Sequence, residues 1–224
     1  MDEDGLDEFL VGAPCFNQTE EHGGKAYVLG FPVEGDVDLA AVSPAIWGDG
    51  FERHAGAGVS GAGDVDGDGQ ADLLVGDTAD EANGERTGAA YLVLGPVVDD
   101  VDLAQAAAKL TGEAEWDDAG WALAPAGDVD DDGFGDFLVG APNDLAIGPG
   151  KAYLIHGPVE GTSSLSAADA TFLGENDGDR AGFAVAGGDD LDGDGIEDFI
   201  VGAPYANQGE GDSMGVAYLI LGPV

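Results

Sequence analysis

Apolar residues recur along this chain in short runs, each closed by glycine or proline, and the same runs return at nearly constant intervals. One series reads Phe9-Leu10-Val11-Gly12-Ala13-Pro14, Leu73-Leu74-Val75-Gly76-Asp77-Thr78, Phe137-Leu138-Val139-Gly140-Ala141-Pro142 and Phe199-Ile200-Val201-Gly202-Ala203-Pro204. A second reads Lys25-Ala26-Tyr27-Val28-Leu29-Gly30, Ala89-Ala90-Tyr91-Leu92-Val93-Leu94, Lys151-Ala152-Tyr153-Leu154-Ile155-His156 and Val216-Ala217-Tyr218-Leu219-Ile220-Leu221. Runs this short, rich in β-branched and aromatic residues and bounded by turn formers, are strands. A third series, Ala119-Gly120-Trp121-Ala122-Leu123-Ala124 and Ala181-Gly182-Phe183-Ala184-Val185-Ala186, precedes the first; its copy at Gly56-Ala57-Gly58-Val59 lacks the aromatic. Further strands are expected near Ala45 to Trp47, Lys109 to Gly112 and Thr171 to Gly174.

Four strands per unit of about 62 residues match the blade of a β-propeller. The predicted fold class is therefore all-β, a β-propeller of four-stranded antiparallel blades with about 3.5 blades present. The chain reads as a single partial propeller over 1–224, with repeats at approximately 1–50, 51–115, 116–177 and 178–224. It starts after the first strand of one blade and stops before the last strand of another. That implies a piece of a longer protein, with closure by a second copy or a four-bladed ring as alternatives. Helix is nearly absent: Val101 to Lys109 is Ala-rich but short, and reads equally as a loop between blades.

Between the third and first series lies an acidic loop in constant register. Asp64-Val65-Asp66-Gly67-Asp68-Gly69-Gln70-Ala71-Asp72 returns as Asp128-Val129-Asp130-Asp131-Asp132-Gly133-Phe134-Gly135-Asp136 and as Asp190-Leu191-Asp192-Gly193-Asp194-Gly195-Ile196-Glu197-Asp198, at spacings of 64 and 62 residues. Calcium takes six to eight oxygens, so its site needs carboxylates converging from one tight turn. Positions 1, 3 and 5 supply Asp64, Asp66 and Asp68; glycine at position 6 permits the turn; the Gln70 carbonyl follows at position 7, and Asp72 closes at position 9. The same spacing gives Asp128, Asp130, Asp132, the Phe134 carbonyl and Asp136, then Asp190, Asp192, Asp194, the Ile196 carbonyl and Asp198. A partial fourth set opens the chain: Asp2, Asp4, the Leu6 carbonyl and Glu8, without the position-1 acid. An EF-hand would need Glu at position 12, where this chain has Val75, Val139 and Val201 inside strands. Four like charges in one turn repel unless a cation joins them, so three Ca2+ sites are expected, with a fourth partial.

The strand with aromatic and Gly, the Asp-x-Asp-x-Asp-Gly-x-x-Asp loop and the closing Val-Gly-Ala-Pro together resemble the FG-GAP repeats of the integrin alpha-subunit propeller and of related prokaryotic surface proteins. The resemblance covers essentially the whole chain. It implies a seven-bladed ring, calcium in the hairpin loop between the first two strands of a blade, and a non-catalytic extracellular or cell-surface module for adhesion. The expected partner is a protein or glycan ligand met by the loops of one face, together with self-association through open sheet edges. The alternative is an accessory propeller of a secreted hydrolase, such as glycosylphosphatidylinositol-specific phospholipase D, whose catalytic domain lies elsewhere.

Composition narrows this further. With 46 Asp plus Glu against 6 Lys plus Arg the net charge is -40, which excludes most nucleic-acid roles and disfavours anionic membranes. Forty glycines fit many tight turns. Removing the fifteen loop acids still leaves 31, an excess that suits a halophilic acidic protein working in high salt. No apolar run is long enough for a membrane helix, so direct insertion is not expected.

Catalysis finds no constellation: His22, His54 and His156 occupy unrelated places in their repeats. Cys15 reads as a small buried apolar side chain, Asp99-Asp100 and Asp117-Asp118 as solvated loop faces, and the recurring Tyr27, Tyr91, Tyr153 and Tyr218 as core. Trp121 takes the aromatic packing position, and Trp116 sits on a connecting loop. Asn17-Gln18-Thr19 fits the N-glycosylation pattern.

Overall fold

The structure, a computed structural model, describes residues 8–19, 22–30, 32, 35–143, 148–206 and 214–222. It is a partial β-propeller. The first blade comprises β1 (Phe9–Thr19), β2 (His22–Leu29) and β3 (Ala45–Trp47). The second is β4 (Gly50–Gly63), β5 (Asp72–Asp77), β6 (Ala89–Val93) and, after the short β7 (Val101–Asp102), β8 (Ala108–Thr111). The third repeats this with β9 (Ala122–Gly127), β10 (Asp136–Ala141), β11 (Lys151–Ile155), β12 (Gly161–Ser164) and β13 (Ala170–Leu173). The last blade has β14 (Ala184–Asp189), β15 (Asp198–Ala203) and β16 (Val216–Ile220). Within a blade all pairings are antiparallel, so the acidic loops lie at one end and the hairpins joining second to third strands lie at the other.

The period of two along each strand decides which blade a side chain meets. In the second blade Leu73, Val75, Tyr91 and Val93 pack back onto Ala26, Val28 and Ile46 of the first. Alternating with them, Leu74, Ala90, Leu92 and Leu110 pack forward onto Phe137, Val139 and Tyr153 of the third. Phe199 and Val201 likewise close against Ala124, Ala126 and Leu138. Among the described residues the first and last blades are covered on one side only. Phe9 is 49% exposed where its counterparts Phe137 and Phe199 are fully buried, and Ile200 is 38% exposed where Leu74 and Leu138 are buried.

Strand-ending glycines permit this stacking. A Cβ at Gly76 would overlap the Gly120 carbonyl, and one at Gly140 the Gly182 carbonyl, so the following blade's backbone comes too close for any side chain.

One reading left open in the sequence is decided and two change. Val101–Lys109 is not helical: it forms β7, a 3-10 turn over Leu103–Gln105 and the start of β8, because Asp102 caps the turn from an extended conformation and β8 pairs with β6. Cys15 is exposed rather than buried, lying past Ala13 where the β1–β2 register slips on a blade with no described predecessor. Asp117 and Asp118 are buried at 4% and 0%, because Asp117 accepts from the amides of Glu113 and Ala114 and Asp118 is paired with Arg86. Asp100 is exposed as expected, yet it accepts from Ala45 N and the Trp47 indole.

Candidate metal centre

In all three complete loops glycine at position 6 takes a left-handed φ, +89° at Gly69, +92° at Gly133 and +93° at Gly195, and its amide donates to the position-1 carboxylate at 2.9 Å. Position-5 carboxylates of Asp68, Asp132 and Asp194 accept from the amides of Gln70, Phe134 and Ile196, which orients those residues' backbone within the loop. The carboxylates converge. Asp64, Asp66 and Asp72 each bring one oxygen within 4.8 Å of the others, as do Asp128, Asp130 and Asp136, and Asp190, Asp192 and Asp194. In the first two loops the trio is thus positions 1, 3 and 9, with position 5 outside it; in the last it is 1, 3 and 5, with Asp198 outside it. Of the partial first loop, Asp2, Asp4 and Leu6 lie outside the described residues.

The donor set suits a hard divalent cation. Asp64 Oδ1 is buried without a hydrogen-bond partner, which leaves an anionic oxygen turned away from water among two other carboxylates. No Lys or Arg reaches any of these loops among the described ion pairs; the nearest basic group is His156, whose Nδ1 lies 3.2 Å from Asp130 Oδ2. This histidine was not anticipated, since Leu94 and Leu221 hold its place in other repeats; only that substitution marks it in the sequence.

Position 9 also has a second role. Asp72 accepts from Val65 N with one oxygen and from Gly95 N with the other, both at 2.9 Å, fastening its loop to the end of the third strand. Asp136 does the same with Val129 and Gly157, and Asp198 with Leu191 and Gly222. Burial pushes Asp72 and Asp136 above the ordinary carboxylate range despite these amides, and neighbouring acids add to the rise. Adjacent loops touch as well: Gly135 N donates to Asp64 O at 2.7 Å.

The six cations gather at the opposite end. Arg53 and Lys109 converge on the buried Asp80, at 3.2 and 2.7 Å. Arg86 pairs with Asp118 and lies over the Trp116 ring, Lys151 pairs with Glu113, and Arg180 lies over the Tyr205 ring. Lys25 Nζ sits 3.9 Å from the Trp47 ring centroid and 4.3 Å from that of Tyr27; burial lowers its pKa, opposed by Asp100. In the same region Asp77 replaces the alanine of the other repeats. Its Oδ1 accepts from His54 N and Ala79 N, its buried Oδ2 has no partner, and burial raises its pKa. Burial would raise Asp80 too, but the Lys109 bond and the nearby cations outweigh it and hold it low.

Residues 181–217 match the FG-GAP repeat family, so the signature runs from just before β14 through the acidic loop and β15 to the start of β16. The last blade carries an FG-GAP repeat. It is 30% identical over 220 residues to integrin alpha pat-2 of Caenorhabditis briggsae, covering 91% of this chain and 17% of that protein. It is 38% identical over 153 residues to integrin alpha-IIb of Homo sapiens and 35% over 168 to integrin alpha-PS2 of Drosophila melanogaster, each match covering 65% of this chain. The chain therefore spans less than a fifth of the length of these relatives. In the second, third and last blades the acidic loop lies at the end of the sheet opposite the cationic residues.

Proposed function

We propose that this chain is a calcium-stabilised propeller module of the adhesion type, displayed extracellularly or at a cell surface, that recognises a protein ligand and performs no catalysis. The observation that carries the metal reading is the convergence of three carboxylates in each complete loop, with a buried, unpartnered Asp64 oxygen in the first of them. Asp64, Asp66, Asp68 and Asp72 with the Gln70 carbonyl would hold one ion; Asp128, Asp130, Asp132 and Asp136 with the Phe134 carbonyl a second; Asp190, Asp192, Asp194 and Asp198 with the Ile196 carbonyl a third. Bound calcium would supply countercharge to each loop. The chain's own contribution is the position-6 glycine turn and the position-9 clamp, which fix the loop between two strands.

Recognition is assigned to the cationic hairpin end, because loops carry contacts while the sheets hold them rigid. There the exposed Tyr205 and the partly exposed Trp116 each lie beside an arginine. The integrin alpha relatives support a protein ligand. No helix among the described residues is long and apolar enough to cross a membrane.

Calorimetric titration of chelator-treated protein with calcium in high salt tests the reading. Three or four ions per chain with a raised melting temperature are expected; no uptake would overturn the metal assignment.

A further inference from the structure

A single peptide plane joins the first two complete acidic loops. Gly135 N donates to Asp64 O at 2.7 Å, and the same trans peptide carries the Phe134 carbonyl, the position-7 ligand assigned to the second loop. Its N–H and C=O point in opposite directions, so fixing one aims the other. Asp64 O belongs in turn to the peptide whose Val65 N–H is bound at 2.9 Å by Asp72, the position-9 acid of the first loop. Two peptides in series thus run from a carboxylate of one site to a carbonyl of the next.

Packing holds the bridge in place. The Phe134 ring lies over Gly67, where a Cβ would stand 2.7 Å from it, and a Cβ at Gly135 would stand 3.1 Å from Asp64 N and O. Glycine at position 8 therefore lets the two backbones meet, whereas the first and third loops have Ala71 and Glu197 there. The second and third loops approach each other differently. Glu197 lays its side chain against Gly127, and among the described residues no backbone hydrogen bond joins these two loops.

We propose, resting on the calcium reading above, that the first two complete loops take up calcium with positive cooperativity through this peptide bridge, and that the third loop binds without that gain. An ion in the first loop holds Asp64 and Asp72, which fixes the Asp64 carbonyl, the Gly135 N–H and so the Phe134 carbonyl. The second ion then has less backbone to order. Linkage makes the effect reciprocal. Charge opposes it, because each loop carries four Asp and an ion in one lessens the pull on an ion at the other. That opposition is screened beyond about 3 Å at about 1 M salt, against about 10 Å at about 0.1 M, whereas the bridge is unaffected. Cooperativity therefore grows with salt while the affinity for each ion falls.

Calorimetric calcium titrations of chelator-treated protein at about 1 M salt provide the test. Asp194→Ala leaves the first two loops, and adding Asp132→Ala or Asp68→Ala leaves one. The coupling factor is the two-ion constant divided by the product of the two one-ion constants. A factor of about five or more is expected for the first pair, falling toward unity at about 0.1 M salt. For the second and third loops, left by Asp68→Ala alone, the same ratio should stay near unity. Gly135→Glu, which copies the third loop, and Phe134→Gln, which copies the first and keeps every backbone group, should each lower the factor of the first pair. Because the factor is a ratio within one background, a general loss of affinity cancels. A factor near unity for the first pair, equal factors for the two pairs, or a factor unchanged by both substitutions would overturn the proposal and leave the calcium sites standing. No uptake by any loop would overturn the calcium reading and the cooperativity with it.

Discussion

The Tyr153 hydroxyl, in the third blade, donates to Glu113 Oε1 at 2.7 Å, and Glu113 follows the outer strand of the second blade. Tyr218 repeats this with Glu175 at 3.0 Å. A tyrosine that looks like simple core in the sequence therefore ties the third and the last blade to their predecessors, whereas Tyr91 donates to Asp80 of its own blade. The bond from Tyr153, aided by Lys151, holds Glu113 below the ordinary carboxylate range, while burial and Glu113 push the phenol up.

Breaking that tie should destabilise the seam. Tyr153→Phe is expected to cost about 0.5–1 kcal/mol, modest because Glu113 is partly exposed. Since Glu113 has a lowered folded-state pKa, its contribution is present above the unfolded value and is lost as pH falls through the folded one. Melting curves of the two proteins should therefore differ at neutral pH and converge in acid; equal melting temperatures at neutral pH would contradict the assignment.

The two roles of the loop acids separate by substitution. Asp72→Asn keeps one oxygen but strands either the Val65 or the Gly95 amide, a loss of about 1–3 kcal/mol even in chelator-treated protein. Asp68→Asn, which touches only the exposed Gln70 amide, should change metal-free stability by less than about 0.5 kcal/mol and still weaken calcium uptake. Urea titrations with and without calcium distinguish them, and equal losses in chelator would refute the clamp.

Asp77→Asn should stabilise the protein at neutral pH by about 1 kcal/mol, or roughly 2–4 °C, because it removes a buried charge whose Oδ2 is unpaired. The pKa of Asp77 is raised on folding, so its stabilising share exists below the unfolded value and disappears as pH rises through the folded one. The gap between variant and parent should close on acidification. A variant less stable at pH 7 would show that the charge is needed against Arg53.

Low salt should lower the melting temperature with calcium held constant, since 31 acids remain beyond the fifteen proposed ligand acids, against six bases. An unchanged melting temperature after dialysis would count against the halophilic reading.

The blade architecture is legible in the sequence because its signals are local: Phe137-Leu138-Val139 alternates at the strand period, and Gly133 marks its turn. The convergence of Asp64, Asp66 and Asp72 is legible for the same reason. What escapes is longer in range. Nothing local to Asp136 shows that it clamps Gly157, and Asp118 reads as solvated because its partner, Arg86, is 32 residues away. His156 reads as isolated because Asp130 meets it only across a blade. The cap at Asp102 competes with helix over a segment whose alanines favour one, and the tertiary pairing of β8 decides the outcome.

All six cationic side chains stand at one end of the sheets and the three acidic loops at the other. Such a molecule is a permanent electric dipole as well as a polyanion. Near a charged surface it would be turned as well as repelled, hairpin end toward the negative side, and every divalent ion taken up by the loops would weaken that torque. Ion occupancy would then set how strongly the protein is turned, before any ligand is touched.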